Sequence, residues 1–284
     1  MKIIKKILRT PVYVASFARA LNQFRLKGGI VRATITTVES RDLLLGKRIL
    51  ITGGSSGIGF AIARKFVSCG ATVVITGRDE NALREAVERI GSESMHYLRW
   101  DVADISVIDE NLVRARHLLG GDLDILVNNA GLLLDDPFLQ VSEANWDITH
   151  AVNSKGLFFL TQSICREWST HQRKIRKVLM VSSTSGFLPG AYPYRMSKWD
   201  LVGMTQGLAL KLADRGVIVN GIAPGRTAGR MLGIGEGNIA DPEIPFGRVA
   251  LPEELAELAA FLAGDGSNYI TGQTIICDGG MTLR

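Results

Sequence analysis

Tyr194 and Lys198 stand four residues apart in the segment YRMSK, a spacing that on a helix sets a phenol and an ammonium on one face. A neighbouring cation favours the phenolate, so a hydroxyl whose ordinary pKa is about 10 becomes a workable general acid or base. A second chemical feature is the run Gly53–Gly59 (GGSSGIG). A glycine turn that opens a helix leaves backbone N–H groups unpaired, and the helix dipole adds its own pull on an anion. Gly53, Ser55, Ser56, Gly57, Ile58 and Gly59 therefore read as a phosphate cradle. A tight strand-to-helix turn can carry the same glycines without binding anything, and the flanking elements decide between the two.

Those flanks have the right character. Lys47–Thr52 (KRILIT) reads as a short buried strand, Phe60–Ser68 as a helix with Ala61, Ile62, Ala63, Phe66 and Val67 inward, and Ala71–Thr76 (ATVVIT) as the next strand. Met95–Trp100 and Leu123–Asn128 add two strands on either side of a polar-faced helix at Ile105–Leu119, and a helix runs from Tyr194 to about Asp214. Short β-branched runs alternating with helices predict an α/β fold, a doubly wound parallel sheet with helices on both faces. Ligands bind at the carboxyl ends of such strands, which here finish in Asp101 and Val102, and in Asn129, Ala130 and Gly131.

The chain's 284 residues are 46% hydrophobic and 21% charged, which is ordinary globular composition. That length suits one large domain with an added terminal segment. Cys69, Cys165 and Cys277 are far apart and odd in number, so the sequence supports neither a disulfide framework nor a thiolate metal site, and a reducing cytoplasmic setting fits. The net charge of +5 is uneven: residues 1–46 carry +7 and the remainder −2. Basic charge confined to one arm argues against a nucleic-acid-binding surface. Within the arm, Ile3, Ile4, Ile7 and Leu8 alternate with Lys2, Lys5, Lys6 and Arg9, and Tyr13, Phe17, Leu21 and Phe24 make a second stripe. The sequence therefore divides into a basic amphipathic, helical extension at 1–46 and a catalytic domain at 47–284. The extension packs on its own domain or a sister subunit, or rests through residues 1–26 on an anionic membrane surface, or is a targeting or disordered tail.

Taken together, TGGSSGIG (52–59), WDV (100–102), NNAG (128–131), VN (152–153), VSS (181–183), YRMSK (194–198), VNGIAPG (219–225), YITGQ and DGG resemble the short-chain dehydrogenase/reductase family. Within it, the chain is most similar to the 3-oxoacyl-acyl-carrier-protein reductases, from about residue 45 onward. The resemblance implies a Rossmann-like sheet, a nicotinamide cofactor across the strand ends, and carbonyl reduction or its reverse without a metal. It implies Tyr194 as proton donor, Lys198 on the nicotinamide ribose, Ser183 on the substrate oxygen, and Asn153 in a proton relay through water. It also implies a small carbonyl or alcohol substrate and a homo-oligomer, dimer or tetramer. Pro224 and Gly225 fall where the family touches the cofactor, with Thr227 the nearest candidate for the threonine that the family carries some residues further on. Gly77 stands where NAD-preferring relatives place aspartate, and Arg78 follows it, matching a 2′-phosphate with help from Ser55 or Ser56; NADPH is expected over NADH.

Two departures bear on the substrate. Only 11 residues separate Ser183 from Tyr194, about two fewer than the family usually has, and Phe187, Leu188, Pro189, Ala191, Tyr192 and Pro193 make that loop largely apolar. It reads as a rigid turn or as one wall of a greasy pocket, with Ser182 and Ser185 as alternates for the serine role. After Pro224-Gly225 the family threonine is displaced, and Gly229, Gly233, Gly235 and Gly237 suggest a lid.

Overall fold

The structure is a computed structural model that describes residues 41–134, 136–168, 174–229, 233 and 238–283. Strands β1 (Arg48–Thr52), β2 (Thr72–Gly77), β3 (Met95–Arg99), β4 (Ile125–Asn128), β5 (Arg176–Val181), β6 (Val217–Pro224) and β7 (Thr274–Cys277) form one sheet. Their order is β3-β2-β1-β4-β5-β6-β7, with neighbouring strands parallel. The winding reverses between β1 and β4, which parts the strand ends into a crevice.

Side chains alternate across each strand, so both faces of the sheet need cover. Ile49, Ile51, Val73 and Ile75 enter one core with Phe66, Leu83 and Leu255 of helices α1 (Gly57–Ser68), α2 (Glu80–Ile90) and α7 (Pro252–Ala263). Leu50, Val74, Leu126 and Met180 enter the other. There they meet Leu112, Leu160 and Leu201 of α3 (Ile108–Leu119), α5 (Leu157–Trp168) and α6 (Pro193–Leu212). Between α3 and α5, helix α4 (Glu143–His150) runs into a π turn at Ala151–Gly156, which leads into α5.

The element boundaries differ from the sequence expectation in instructive places. The first helix begins at Gly57, not Phe60, because the last glycines of the turn are already its opening residues. The second strand is shifted by one, from Thr72 to Gly77, with Gly77 paired to Arg99. Lys47 stays outside β1 because its N–H closes a turn onto the Leu44 carbonyl (3.0 Å). The helix expected from Ile105 opens as a 3₁₀ turn capped by Asp104 and becomes α-helical at Ile108. Helix α6 ends at Leu212, and a 3₁₀ turn at Ala213–Arg215 follows.

Residues 1–40 lie outside the described residues, and with them most of the amphipathic extension. Of its end, Leu44 is buried in the first core and bonds the Cys69 carbonyl (2.9 Å).

Asp124, at the entry to β4, is 2% exposed. It accepts the Arg48 N–H (3.0 Å) and pairs with buried Arg176 and with Lys174 (2.5 Å). Removing one member of a buried pair strands the other charge in the interior, at about 3–5 kcal/mol. Asp124→Ala is expected to lose that much stability in urea unfolding; a loss below about 1 kcal/mol would mean that water already screens Arg176.

Candidate active site

The carboxyl ends of the central strands open on a cleft of about 660 Å³, in the size range of small-molecule sites. Of the residues singled out from the sequence, Gly53, Ser55, Ser56, Gly57, Ile58, Gly59, Arg78, Asp101, Val102, Asn129, Ala130, Gly131, Ser183, Tyr194, Lys198, Pro224, Gly225 and Thr227 all border it. Asn153 stands behind the wall.

At one end is the glycine turn. Gly57 has φ +56°, where a side chain is strained, and a Cβ there would meet nothing within 4 Å, so its surroundings are open. Gly59 is constrained differently: a Cβ would collide with Asn129 Nδ2 and the Gly53 carbonyl. The turn is held by a clamp that sequence reasoning missed. Thr52 Oγ1 accepts the N–H groups of Asn129 and Ala130 (both 3.0 Å), and Asn129 Nδ2 donates to the carbonyls of Thr52 (2.9 Å) and Gly53 (2.8 Å). The Asn129 amide is thus spent on bracing the cradle.

Arg78 follows β2 on the rim of the cleft, exposed, with only its backbone carbonyl engaged, by Arg99 Nε (3.2 Å). Among the described residues its guanidinium has no partner. Asp79 forms no ion pair with it among the described residues; its Oδ1 caps α2 by accepting the N–H groups of Asn81 and Ala82 (3.0 and 3.1 Å). Asp101 Oδ1 is likewise occupied, by the Ala103 N–H (3.0 Å).

At the other end lie Ser183, Tyr194 and Lys198. Ser183 Oγ accepts the Ser185 N–H (3.1 Å), and the serine lies close enough to the Tyr194 phenol to hold its pKa down. Ser182 drops out as an alternate because its hydroxyl is buried and donates to the Lys198 carbonyl (2.9 Å). Lys198 Nζ donates to the Val181 carbonyl (3.1 Å) and sits 5.6 Å from the centre of the Tyr194 ring.

The spacing alone suggests a phenol drawn toward neutrality by this lysine, and the structure reverses the sign. Burial pushes the Tyr194 pKa up, the Ser183 hydrogen bond offsets part of that, and nearby Tyr192 adds to the rise. Burial also brings Lys198 down to about 8. Burial decides both shifts, and the Lys198 ammonium is turned to the Val181 carbonyl. Tyr194 is therefore protonated at neutral pH, the state a proton donor requires.

Asn153 is fully buried in the π turn, a deformation that recurs at functional sites. Its amide exchanges two bonds with the backbone of Leu132 (2.9 Å each) and donates to Ser197 Oγ (3.0 Å), which in turn donates to the Tyr194 carbonyl (2.7 Å). It reaches the site indirectly, by fixing the chain after β4 and the start of α6.

The apolar loop is both a wall and a braced turn. Leu188 and Tyr192 border the cleft, while Trp199 Nε1 donates to the Leu188 carbonyl (3.2 Å) and Arg195 to that of Pro189. Thr227 donates to the Gly225 carbonyl (3.0 Å) and forms a bridge with Ala250. Of the glycine-rich stretch expected to act as a lid, 230–232 and 234–237 lie outside the described residues. Its flanks are fastened by Arg226, paired with Asp241 (2.9 Å) and Glu243 (2.8 Å), and by a small core of Ala228, Ile239, Ile244 and Val249. Met281 and Arg195 also border the cleft and went unassigned in the sequence.

The profile of a family described as enoyl-(acyl carrier protein) reductase matches residues 53–282. A 3-oxoacyl-[acyl-carrier-protein] reductase FabG of Aquifex aeolicus is 35% identical, over 84% of this chain and 98% of its own. Oxidoreductase UcpA of Salmonella typhimurium is 37% identical over 84% and 96%. Among solved structures, a gluconate 5-dehydrogenase from Burkholderia cenocepacia in complex with NADP and tartrate superposes with a TM-score of 0.77 at 29% identity, covering 86% of this chain and 98% of that one.

Proposed function

Because the chain belongs to the short-chain dehydrogenase/reductase family, as an NAD(P)-dependent oxidoreductase most similar to the 3-oxoacyl-acyl-carrier-protein reductases, we propose that it is an NADP-dependent enzyme that reduces a small carbonyl compound to an alcohol. One observation carries this reading: Ser183, Tyr194 and Lys198 converge at one end of a cleft whose other end holds a glycine cradle and an arginine that is unpaired among the described residues. The residues fit such a cofactor. The open space at Gly57 and the first turn of α1 would take its phosphates, Arg78 with Ser55 or Ser56 the 2′-phosphate, and Lys198, Pro224, Gly225 and Thr227 the nicotinamide half.

When bound, the reduced nicotinamide supplies hydride to the carbonyl carbon. Ser183 and Tyr194 donate hydrogen bonds to the carbonyl oxygen, where negative charge develops. Tyr194 then gives up its proton, and Lys198, cationic below about pH 8, stabilises the phenolate left behind. Reduction is expected to slow as pH rises through about 8, because Lys198 loses its charge there. A rate that stays level well above that pH would remove Lys198 from this role.

The purified chain should bind NADPH tightly and NADH weakly in a direct titration, and should consume NADPH with members of a ketone panel. Preference for NADH would remove Arg78 from cofactor choice. Failure to bind either would leave a catalytically idle Rossmann-fold scaffold protein as the reading.

Phe158 and Phe159 on α5, and Trp199 and Leu210 on α6, remain exposed, the kind of apolar surface that sister subunits cover, which supports a homo-oligomer, dimer or tetramer. The absence of paired cysteine spacing supports a cytoplasmic setting. The division into an extension at 1–46 and a catalytic domain at 47–284, and peripheral membrane contact through 1–26, rest on the charge pattern alone. Liposome sedimentation with and without residues 1–40 tests the membrane contact, and equal partitioning would exclude it.

A further inference from the structure

Arg195 follows Tyr194 directly, in the first turn of α6. A cation there is set against the helix dipole, which favours acidic residues at this end by about 0.3–1 kcal/mol. The first turn contains no acidic residue to compensate. The side chain is nonetheless held in one place. Its guanidinium stacks on the Tyr192 ring at 5.2 Å, Nε donates to Tyr192 Oη (3.3 Å), and Nη1 donates to the Pro189 carbonyl. Gly190 leaves the room for it, since a Cβ at that position would collide with Arg195 Cδ.

The fixed guanidinium borders the cleft, half-buried, beside the apolar walls of Leu188 and Tyr192. Among the described residues it has no carboxylate partner, and its Nη2 group makes no hydrogen bond. An immobilised cation with a free donor edge, next to the proton-donating tyrosine, is arranged for an anion, and the adjoining helix end adds to the same field. A side chain set against a local preference and held rigid is a mark of function rather than of stability.

We propose that Arg195 is a specificity-determining residue, and that the carbonyl substrate carries a carboxylate which the guanidinium receives while Ser183 and Tyr194 hold its carbonyl. This rests on the reductase reading above. The apolar walls then take the short carbon chain between the two groups.

The test uses the full chain with NADPH and a set of short keto acids, each beside its own methyl ester, so that the carbonyl is constant and the charge is not. For wild type, kcat/KM for the best acid should exceed that for its ester by about tenfold or more, the size of one charge-assisted contact at a half-exposed site. In Arg195→Met that ratio should collapse toward unity through KM for the acid, and Arg195→Lys should restore part of it. If wild type reduces the esters as well as the acids, or if Arg195→Met keeps the preference, Arg195 is only a brace for the loop and the inference falls. If neither acids nor esters consume NADPH, the reductase reading fails, and the inference fails with it.

Discussion

Replacing Tyr194 with phenylalanine is expected to lower kcat for carbonyl reduction by about a thousandfold, within the range that a positioned general acid contributes. The variant keeps the ring and loses one hydroxyl. Ser183, the neighbour that acts on that hydroxyl, is itself held by the Ser185 N–H, so the surrounding framework stands without it. Two effects act in the same direction. The proton must come from water, and the carbonyl oxygen loses one of two donors as its charge grows, together about 4 kcal/mol of transition-state stabilisation. The loss belongs in kcat, with NADPH affinity within a few-fold of wild type, because the cradle at Gly53–Gly59 is braced by Thr52 and Asn129 and not by Tyr194. Turnover within tenfold of wild type would show that a solvent proton suffices and that Tyr194 only positions the substrate.

What the sequence could disclose followed from local rules. The short β-branched runs ILIT and TVVI, the glycine turn and the four-residue step from Tyr194 to Lys198 are each set by neighbours along the chain, and each falls within a residue or a few of its expected place. What it withheld depends on contacts between distant segments. The Thr52 hydroxyl serves residues 77 and 78 positions away, and Asn153 is tied to Leu132 across 21. The π turn that carries Asn153 has no composition of its own. The sign of the Tyr194 shift was hidden for the same reason: spacing gives the nearness of Lys198, but only packing gives the burial that outweighs it. Arg195 lay in plain sight within YRMSK, and the local signal that could have found it is a basic residue in the opening turn of a helix.

Cofactor choice turns on two adjacent side chains, and a paired substitution should reverse it. Arg78 presents on the rim a guanidinium that has no partner among the described residues, and a charge-assisted contact to a 2′-phosphate is worth about 1.5–3 kcal/mol. Gly77 precedes it at the end of β2, and a Cβ there would meet only Leu83, at 3.5 Å, an ordinary contact. Aspartate at position 77 is therefore sterically admissible. It would accept from the ribose hydroxyls of NADH and repel the phosphate of NADPH. In Gly77→Asp/Arg78→Ala, the lost attraction and the added repulsion sum to about 4 kcal/mol, so the ratio of NADPH to NADH affinity should move by about three orders of magnitude toward NADH. Arg78→Ala alone should move it by about one to two. An unchanged ratio in the double variant would mean that the 2′-phosphate is read elsewhere, with Ser55 and Ser56 the remaining polar side chains of the cradle.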